Sequence, residues 1–449
     1  MQKFYNFLFN IGFALSAPFY FLKMWRRGGW RTGFGERFGR YSAKIKQAVT
    51  NRQIIWLHAV SVGEVNLCTQ LIRALEPHAP GLTILVSTTT STGMGELHKK
   101  LPSHIIKIYY PLDRRAYVRR AFRVFRPKAI VLVEAEIWPN FLWRAQELDV
   151  PVFLVNARLS DRSYRGYRRF HRLFRPLFAS LAGVGCQNQA DAEKLKELGC
   201  HPECVCVTGN MKFDAAKLEE RRVLDVPGLL RQLGVAPQAR LLVAGSTHAG
   251  EEALLAEIFL RLKPKFPDLF LVVVPRHFER GREAGQDMAA RGLKFTYRSE
   301  LTQNTQLKPG DTDCLLVNTT GELKYFYEQA SMVFVGKSLT AEGGQNPLEP
   351  GVLGKPLIFG PNMQNFQAIA KTLLEQDGAA QVRNAQELEV VLTQWLANPD
   401  RAAKVGRNAA RAIKENMGAL GRTVGMILAR LSETELKLKV PRERKHASR

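Results

Sequence analysis

The octapeptide Gly343-Gly344-Gln345-Asn346-Pro347-Leu348-Glu349-Pro350 carries residue types that bind nucleotides. It lies between two short apolar runs, 332–335 and 356–359, and so reads as a strand-to-helix turn. Two glycines let a ligand approach the backbone closely, Asn346 can cap the next helix, and Pro347 suits its first position. Glu349 then falls in the first helical turn, where a carboxylate can accept hydrogen bonds from two vicinal hydroxyls, as acids do on a ribose. Taken alone, the octapeptide is equally a glycine-rich loop with a helix-capping acid.

Other loops of the same kind follow other apolar runs. In His58-Ala59-Val60-Ser61-Val62-Gly63-Glu64, Ser61 and Glu64 have capping-box spacing, and Gly63 permits close approach. A carboxylate at that place can also act as a general base toward a hydroxyl within reach. Glu134 and Glu136 come directly after a five-residue apolar run, where buried carboxylates need partners. They either hold substrate hydroxyls or pair with arginines such as Arg158, while Trp138 and Pro139 read as packing. Ser246, Thr247 and His248 precede a helix that begins with acids, and together with its first amides they suit an anion. Pro275-Arg276 offers a guanidinium for phosphate or carboxylate, and Thr320-Gly321-Glu322 and Gly336-Lys337-Ser338 sit after two further runs. Asp311-Thr312-Asp313 precedes its run and reads as a turn, not a metal site.

These loops need a frame. Apolar, β-branched runs at 54–57, 83–86, 105–108, 129–133, 152–155 and 204–207 alternate with helical patterns. A second series begins afresh at 241–244, 269–274, 314–317, 332–335 and 356–359. Such runs predict parallel sheets covered on both faces, hence an α/β chain of two doubly wound domains facing a cleft. Ligands in such sheets bind beyond the carboxyl ends of the strands, where the polar loops lie. The expected boundaries are an anchor at 1–25, a first domain at 26–215, a linker at 216–238, a second domain at 239–420, and a helix with a basic tail at 421–449.

The chain has 449 residues and a formal net charge of +24, which fits nucleic acid or an anionic membrane surface. Aromatic-basic interleaving of the kind that binds single strands is absent, which argues against nucleic acid. The arginines cluster at 26, 27, 31, 37 and 40, and again at 162, 165, 168, 169, 172 and 175; a third basic cluster is the tail 437–449. Residues 4–22 are apolar over about the minimum length of a membrane span. With the positive charge following, they predict either a single span or an interfacial helix moored by Trp25 and Trp30, with the bulk of the chain cytoplasmic. Six cysteines without a zinc spacing read as reduced thiols, Cys200, Cys204 and Cys206 included.

HAVSVGE at 58–64, VEAEIWPN at 133–140, NARLSDRS at 156–163, TGNMKFD at 208–214, GSTHAGEE at 245–252, VPRH at 274–277 and GGQNPLEP at 343–350 together resemble the 3-deoxy-D-manno-octulosonic acid (Kdo) transferases. The resemblance runs in order from the N-terminus to about residue 420. It implies a GT-B fold and inverting transfer of Kdo from CMP-Kdo to a lipid A precursor, lipid IVA, at the cytoplasmic face of the inner membrane. It further implies Glu64 as proton acceptor, and CMP bound by Pro275, Arg276, Thr320, Gly321, Glu322, Asn346, Pro347, Leu348 and Glu349. Further donor or acceptor contacts are expected at Ser61, Gly63, Glu134, Glu136, Lys212, Ser246, Thr247, His248, Gly343 and Gly344. Inner-membrane phospholipids are expected partners, and no cofactor or divalent metal is expected for the transfer. Gln345, where many relatives have His, and Thr320, at a variable position, depart from the pattern without removing a carboxylate or an arginine. The rival reading is a nucleotide-sugar epimerase, or another GT-B enzyme, which needs neither an anchor nor a basic lipid-facing surface.

Overall fold

The computed structural model describes residues 1–26, 33–134, 136–216, 224–302 and 304–431. Each apolar run named above contributes a strand. β1 (Gln53–His58), β2 (Leu82–Thr88), β3 (Ile106–Tyr109), β4 (Ala129–Val133), β5 (Val152–Ala157), β6 (Gly183–Cys186) and β7 (Val205–Val207) form a parallel sheet in the order β3-β2-β1-β4-β5-β6-β7. β8 (Arg240–Thr247), β9 (Leu269–Pro275), β10 (Phe295–Tyr297), β11 (Cys314–Leu316), β12 (Met332–Val335), β13 (Leu357–Phe359) and β14 (Ala380–Gln381) form a second, in the order β10-β11-β9-β8-β12-β13-β14. Each sheet builds a compact unit, one from Met1–Asp214 with the segment beginning at Met417, the other from Ala215–Asn416.

The strands are apolar at nearly every position because both faces of each sheet are covered. In β1, Ile54 and Trp56 face one core, where Trp56 meets Phe122, Phe125 and Phe141, while Ile55 and Leu57 face the other. Trp56 pairs in register with Leu85 of β2 and Ile130 of β4. Strand order reverses between β1 and β4 in the first sheet and between β8 and β12 in the second. At such a reversal the flanking loops diverge and leave room for a ligand.

Two expected boundaries shift. The chain returns to the first unit at Met417, before residue 420: Asp214 accepts from the backbone N–H of Gly418 and of Leu420, each at 2.7 Å. This caps the helix Ala419–Leu431, whose Val424, Ile427 and Leu431 join the core containing Ile55 and Leu57. Much of the expected linker belongs to the second unit, because Val226–Gln232 is a helix with Val226 and Leu230 buried. The expected basic tail 437–449 lies outside the described residues, as do Arg27, Trp30, Arg31 and linker residues 217–223.

Gln2–Arg26 is a helix with apolar residues on all sides. Tyr5, Phe9, Phe13, Ala17 and Phe21, at intervals of four, are half-buried, whereas Phe4, Phe7, Leu8, Ile11, Leu15, Phe19, Leu22 and Trp25 are exposed. Among the described residues, no helix is long and apolar enough to cross a membrane, so the expected span is not supported. What ties this helix down is polar. The Tyr5 hydroxyl donates to the buried Asp113 carboxylate at 2.9 Å, and that carboxylate also accepts from the backbone N–H of Asn140 (3.0 Å) and Phe141 (2.9 Å). Asn6 and Asn140 exchange amide hydrogen bonds at 2.9–3.1 Å. Asp113→Ala strands these donors, and we expect it to cost about 3 kcal/mol. Limited proteolysis should then cut within residues 2–26 of the variant, and an intact, resistant helix would contradict this account.

Candidate active site

Glu64 enters the first turn of the helix Val62–Leu75, directly beyond β1. The capping box predicted from spacing is formed: Ser61 Oγ accepts from Glu64 N at 3.2 Å, and Glu64 Oε2 accepts from Val60 N at 2.8 Å. Capping and catalysis are compatible here. One carboxylate oxygen is anchored by the backbone, and Oε1 makes no hydrogen bond among the described residues. His58, the other titratable group of the loop, is buried at Ser87 and stacked on Tyr110 with ring centroids 3.9 Å apart. Burial lowers its pKa to about 3, so it is a weakly basic imidazole, and being wholly buried it has no access to an acceptor hydroxyl.

Glu134 and Glu136 lie across the strand reversal, after β4 (Ala135 between them lies outside the described residues). Burial raises the pKa of Glu134, the Glu64 carboxylate raises it further, and Lys212 and Arg158 draw it back. Burial likewise raises Glu136, opposed by the Trp138 indole, which donates to Glu136 Oε2 at 2.8 Å. Trp138 is therefore more than packing: it orients a carboxylate. Lys212 reaches the group because the buried Asn156 side chain accepts from Met211 N at 3.0 Å and fixes the turn Met211–Ala216. Three carboxylates and two cations thus converge beyond β1, β4 and β5.

Beside them, a cavity of about 710 Å³ opens between the half-buried face of the N-terminal helix and these strand ends. Phe9, Phe13, Leu112 and Trp138 make it apolar, while Arg37 and Glu136 bring charge to its wall. Arg37 belongs to the basic cluster that follows the N-terminal helix. It is only 6% exposed, lies over the Tyr109 ring at 3.9 Å and donates to the Thr89 carbonyl at 2.7 Å. The arginines at 162, 165, 168, 169, 172 and 175 are exposed as expected.

In the second unit the predicted loops follow β8, β9, β11 and β12. Arg276 comes directly after β9, with its backbone N–H on the Thr247 carbonyl at 3.0 Å. Glu349 stands in the short helix Leu348–Val352. Its carboxylate accepts from the Asn346 side chain at 3.0 Å, while Asn346 also accepts from Leu348 N at 3.1 Å. Burial raises the pKa of Glu349, offset by Asn346, Arg276 and Lys324 in that order. The charges of Arg276 and Lys324 are therefore felt at the Glu349 carboxylate.

Three expectations change. Gly343 and Gly344 do have positive φ, 122° and 69°, but the space at their Cα atoms is filled by the protein itself. A Cβ on Gly344 would lie 2.6 Å from the Met363 sulfur and 2.9 Å from the Asn362 carbonyl, so glycine is needed here to admit a neighbouring segment of the protein. The amides expected to hold an anion near residues 246–250 are partly consumed, because Glu251 accepts from His248 N at 3.0 Å. Glu322 is engaged as well: Arg298 Nη2 donates to it at 3.2 Å and the Thr319 hydroxyl at 2.5 Å. Thr320 and Gly321 remain exposed beside it, and the Ser246 backbone is held at φ 56° with His248 alongside.

Spacing alone missed Glu251, Trp138 and Arg298. The signal for Glu251 was the pair of acids at 251–252, which divide their work. Glu251 takes backbone amides of two loops, whereas the fully buried Glu252 pairs with Arg280 at 2.8 Å and accepts from Thr247. Cys200 is buried, Cys206 is exposed, and among the described residues no three His, Cys, Asp or Glu side chains converge as a metal site.

The family profile described as 3-deoxy-D-manno-octulosonic-acid transferase (kdotransferase) matches residues 32–215. A 3-deoxy-D-manno-octulosonic acid transferase of Bordetella pertussis is 31% identical over 422 residues, covering 91% of this chain and 95% of that protein. One of Haemophilus influenzae is 30% identical over 401 residues, covering 89% and 91%. The chain belongs to the Kdo transferase family. It is a glycosyltransferase. The fold is more widely shared: a UDP-GlcNAc 2-epimerase of Neisseria meningitidis, solved bound to UDP-GlcNAc, superposes with a TM-score of 0.53 over 84% of this chain and 99% of its own, at 15% identity. Architecture alone therefore leaves the epimerase reading open, and sequence kinship over about nine tenths of the chain decides for Kdo transfer. In this Kdo transferase both polar clusters lie where a parallel sheet reverses its strand order.

Proposed function

We propose that the chain transfers Kdo from CMP-Kdo to a hydroxyl of lipid IVA, in lipopolysaccharide biosynthesis, with inversion at the anomeric carbon. The observation that carries the catalytic assignment is Glu64, with one oxygen fixed by Val60 N–H and the other unengaged. In the step, the acceptor hydroxyl gives its proton to Glu64 as its oxygen bonds to the anomeric carbon. The bond from that carbon to the phosphate oxygen breaks, and CMP leaves with the electron pair. Arg276 stabilises the charge gathering on the phosphate, with Ser246 and His248 as further donors. Glu349 and Asn346 hold the ribose, and Thr320 and Gly321 line the same ligand. Fixed donors take the part that a divalent metal plays elsewhere, so turnover should persist in excess chelator.

The apolar cavity beside Glu136 suits an acyl chain of the acceptor, with Arg37 available to a phosphate. We assign the outward apolar face of the helix Gln2–Arg26 to the interface of the inner membrane, with the chain on the cytoplasmic side. Its apolar residues on all sides support this, because one face is covered by protein and the other needs lipid.

Incubation with CMP-Kdo and a tetraacylated lipid A precursor, followed by mass spectrometry, tests the reaction and counts the sugars added. An unmodified acceptor from folded protein would overturn the assignment. Arg276→Ala should weaken CMP binding about 10- to 100-fold, the worth of a hydrogen bond to a charged group. Unchanged calorimetric affinity would remove Arg276 from the donor site.

A further inference from the structure

A second polar cavity, of about 1050 Å³, lies at the opposite edge of the first sheet, against the amino ends of β1, β4 and β5. Its rim carries Lys46, Arg52, Arg123, Arg126, Lys128 and Arg144. Arg144 meets Glu147 at 2.9 Å, yet its Nε is buried with no hydrogen-bond partner. Among the described residues, the other five make no ion pair and no side-chain hydrogen bond. The only acid in the lining is Asp149.

The plain explanation is that these cations answer helix dipoles, because the helices Ala43–Val49, Arg115–Phe125 and Pro139–Gln146 all end here. Each helix end brings roughly half a negative charge. Counting those ends with Asp149 and Glu147, about two to three positive charges remain uncompensated within a few ångströms of one another. Like charges so close repel, and an anion relieves that repulsion.

Backbone conformation points to the same place. Eight non-glycine residues among those described have positive φ. Glu134, Asn156, Ser246 and Lys337 are at the strand ends of the candidate active site, and three of the other four are Asn51 (58°), Arg126 (43°) and Asp149 (52°), all lining this cavity. Arg126 ends its helix in the left-handed conformation usually left to glycine. Such strain persists where the surroundings, or a function, hold it. The floor is apolar, with Val49, Phe122 and Phe125 buried and Leu148 42% exposed.

We propose that this cavity is a second anion site and takes a phosphate-bearing ligand, either a free diphosphate or the phosphorylated headgroup of a lipid. The guanidinium groups of Arg52, Arg123, Arg126 and Arg144 supply the forked donors that phosphate oxygens accept from, and the floor takes the apolar part of the ligand. No residue of the candidate active site takes part.

The test uses the full chain with CMP present throughout to fill the donor site. One arm titrates inorganic pyrophosphate by calorimetry. The other measures co-sedimentation with vesicles of phosphatidylcholine alone or mixed with phosphatidylglycerol. The variant is Arg123→Glu/Lys128→Glu, with Arg123→Gln/Lys128→Gln as the milder form if charge reversal disturbs folding by circular dichroism. Saturable pyrophosphate binding that falls about ten-fold or more in the variant assigns a free phosphate compound. Stronger binding to the anionic vesicles than to phosphatidylcholine alone, with the excess lost in the variant, assigns a headgroup; the N-terminal helix, unchanged in the variant, accounts for binding common to both vesicles. If neither probe binds, or if the variants bind both as the wild type does, the proposal is wrong. The same holds if only an acidic polypeptide such as polyglutamate is retained.

Discussion

Glu64→Gln should reduce Kdo transfer by about 100- to 10,000-fold, the usual worth of a positioned general base. Glutamine is the informative replacement because Glu64 has two jobs. Its carbonyl oxygen can still accept from Val60 N–H, and glutamine serves in a capping box as glutamate does, so the helix Val62–Leu75 keeps its start. What is lost is a group able to take the acceptor's proton. CMP affinity and the circular dichroism spectrum should match the wild type, which separates a chemical defect from a folding defect. Transfer within a few-fold of wild type would remove Glu64 from the base role. A second reading comes from its neighbours. The Glu64 charge contributes to the raised pKa of Glu134 and of Glu136, so in the variant both should titrate lower than in the wild type. Carboxyl NMR can follow that direction without any turnover, and unmoved titrations would mean that the three groups are not coupled.

The sequence made the sheets legible because strands buried on both faces must be apolar at nearly every position, as in Ala129–Val133. The strands that escaped were β6, with two glycines in Gly183–Cys186, and the edge pieces Phe295–Tyr297 and Ala380–Gln381. The last two need little burial and leave no run to read. The positions of the chemical loops were legible for the same reason, since they must follow strands. Their internal hydrogen bonds were not. A glycine that admits a ligand and one that admits Met363 look alike in a sequence, as do Glu322 free and Glu322 held by Arg298. The N-terminal helix gave a similar ambiguity: an apolar segment of this length fits a span or an interfacial helix alike, and the ties of Tyr5 and Asn6 to Asp113 and Asn140 leave no mark in the sequence.

Glu251→Ala should be the most damaging single change in the second unit. The residue is 1% exposed, and its two oxygens accept from four backbone amides. Oε2 takes His248 N (3.0 Å) and Lys337 N (2.8 Å), and Oε1 takes Ser338 N (3.0 Å) and Leu339 N (3.1 Å). The loop after β8 is thereby pinned to the loop after β12, close enough that a Cβ on Gly336 would lie 2.3 Å from the Ser246 carbonyl oxygen. Lys337 is held at φ 54°, a conformation costing about 1–3 kcal/mol that these bonds sustain. Alanine leaves four donors without an acceptor. At about 1–3 kcal/mol for each buried donor left unpaired, reduced by whatever water enters, the loss should be about 4–6 kcal/mol. For a unit of this size that is a fall of about 10–20 °C in its melting transition. Glu251→Gln should recover little, because the amide nitrogen would face two N–H donors where an oxygen had been. Hydrogen exchange at Lys337, Ser338 and Leu339 should accelerate before the rest of the unit opens, and CMP binding should weaken with it, because Ser246 and His248 lose their support. A melting transition within about 2 °C of wild type, at most about 1 kcal/mol by the same scale, would show that these two loops hold together without the carboxylate.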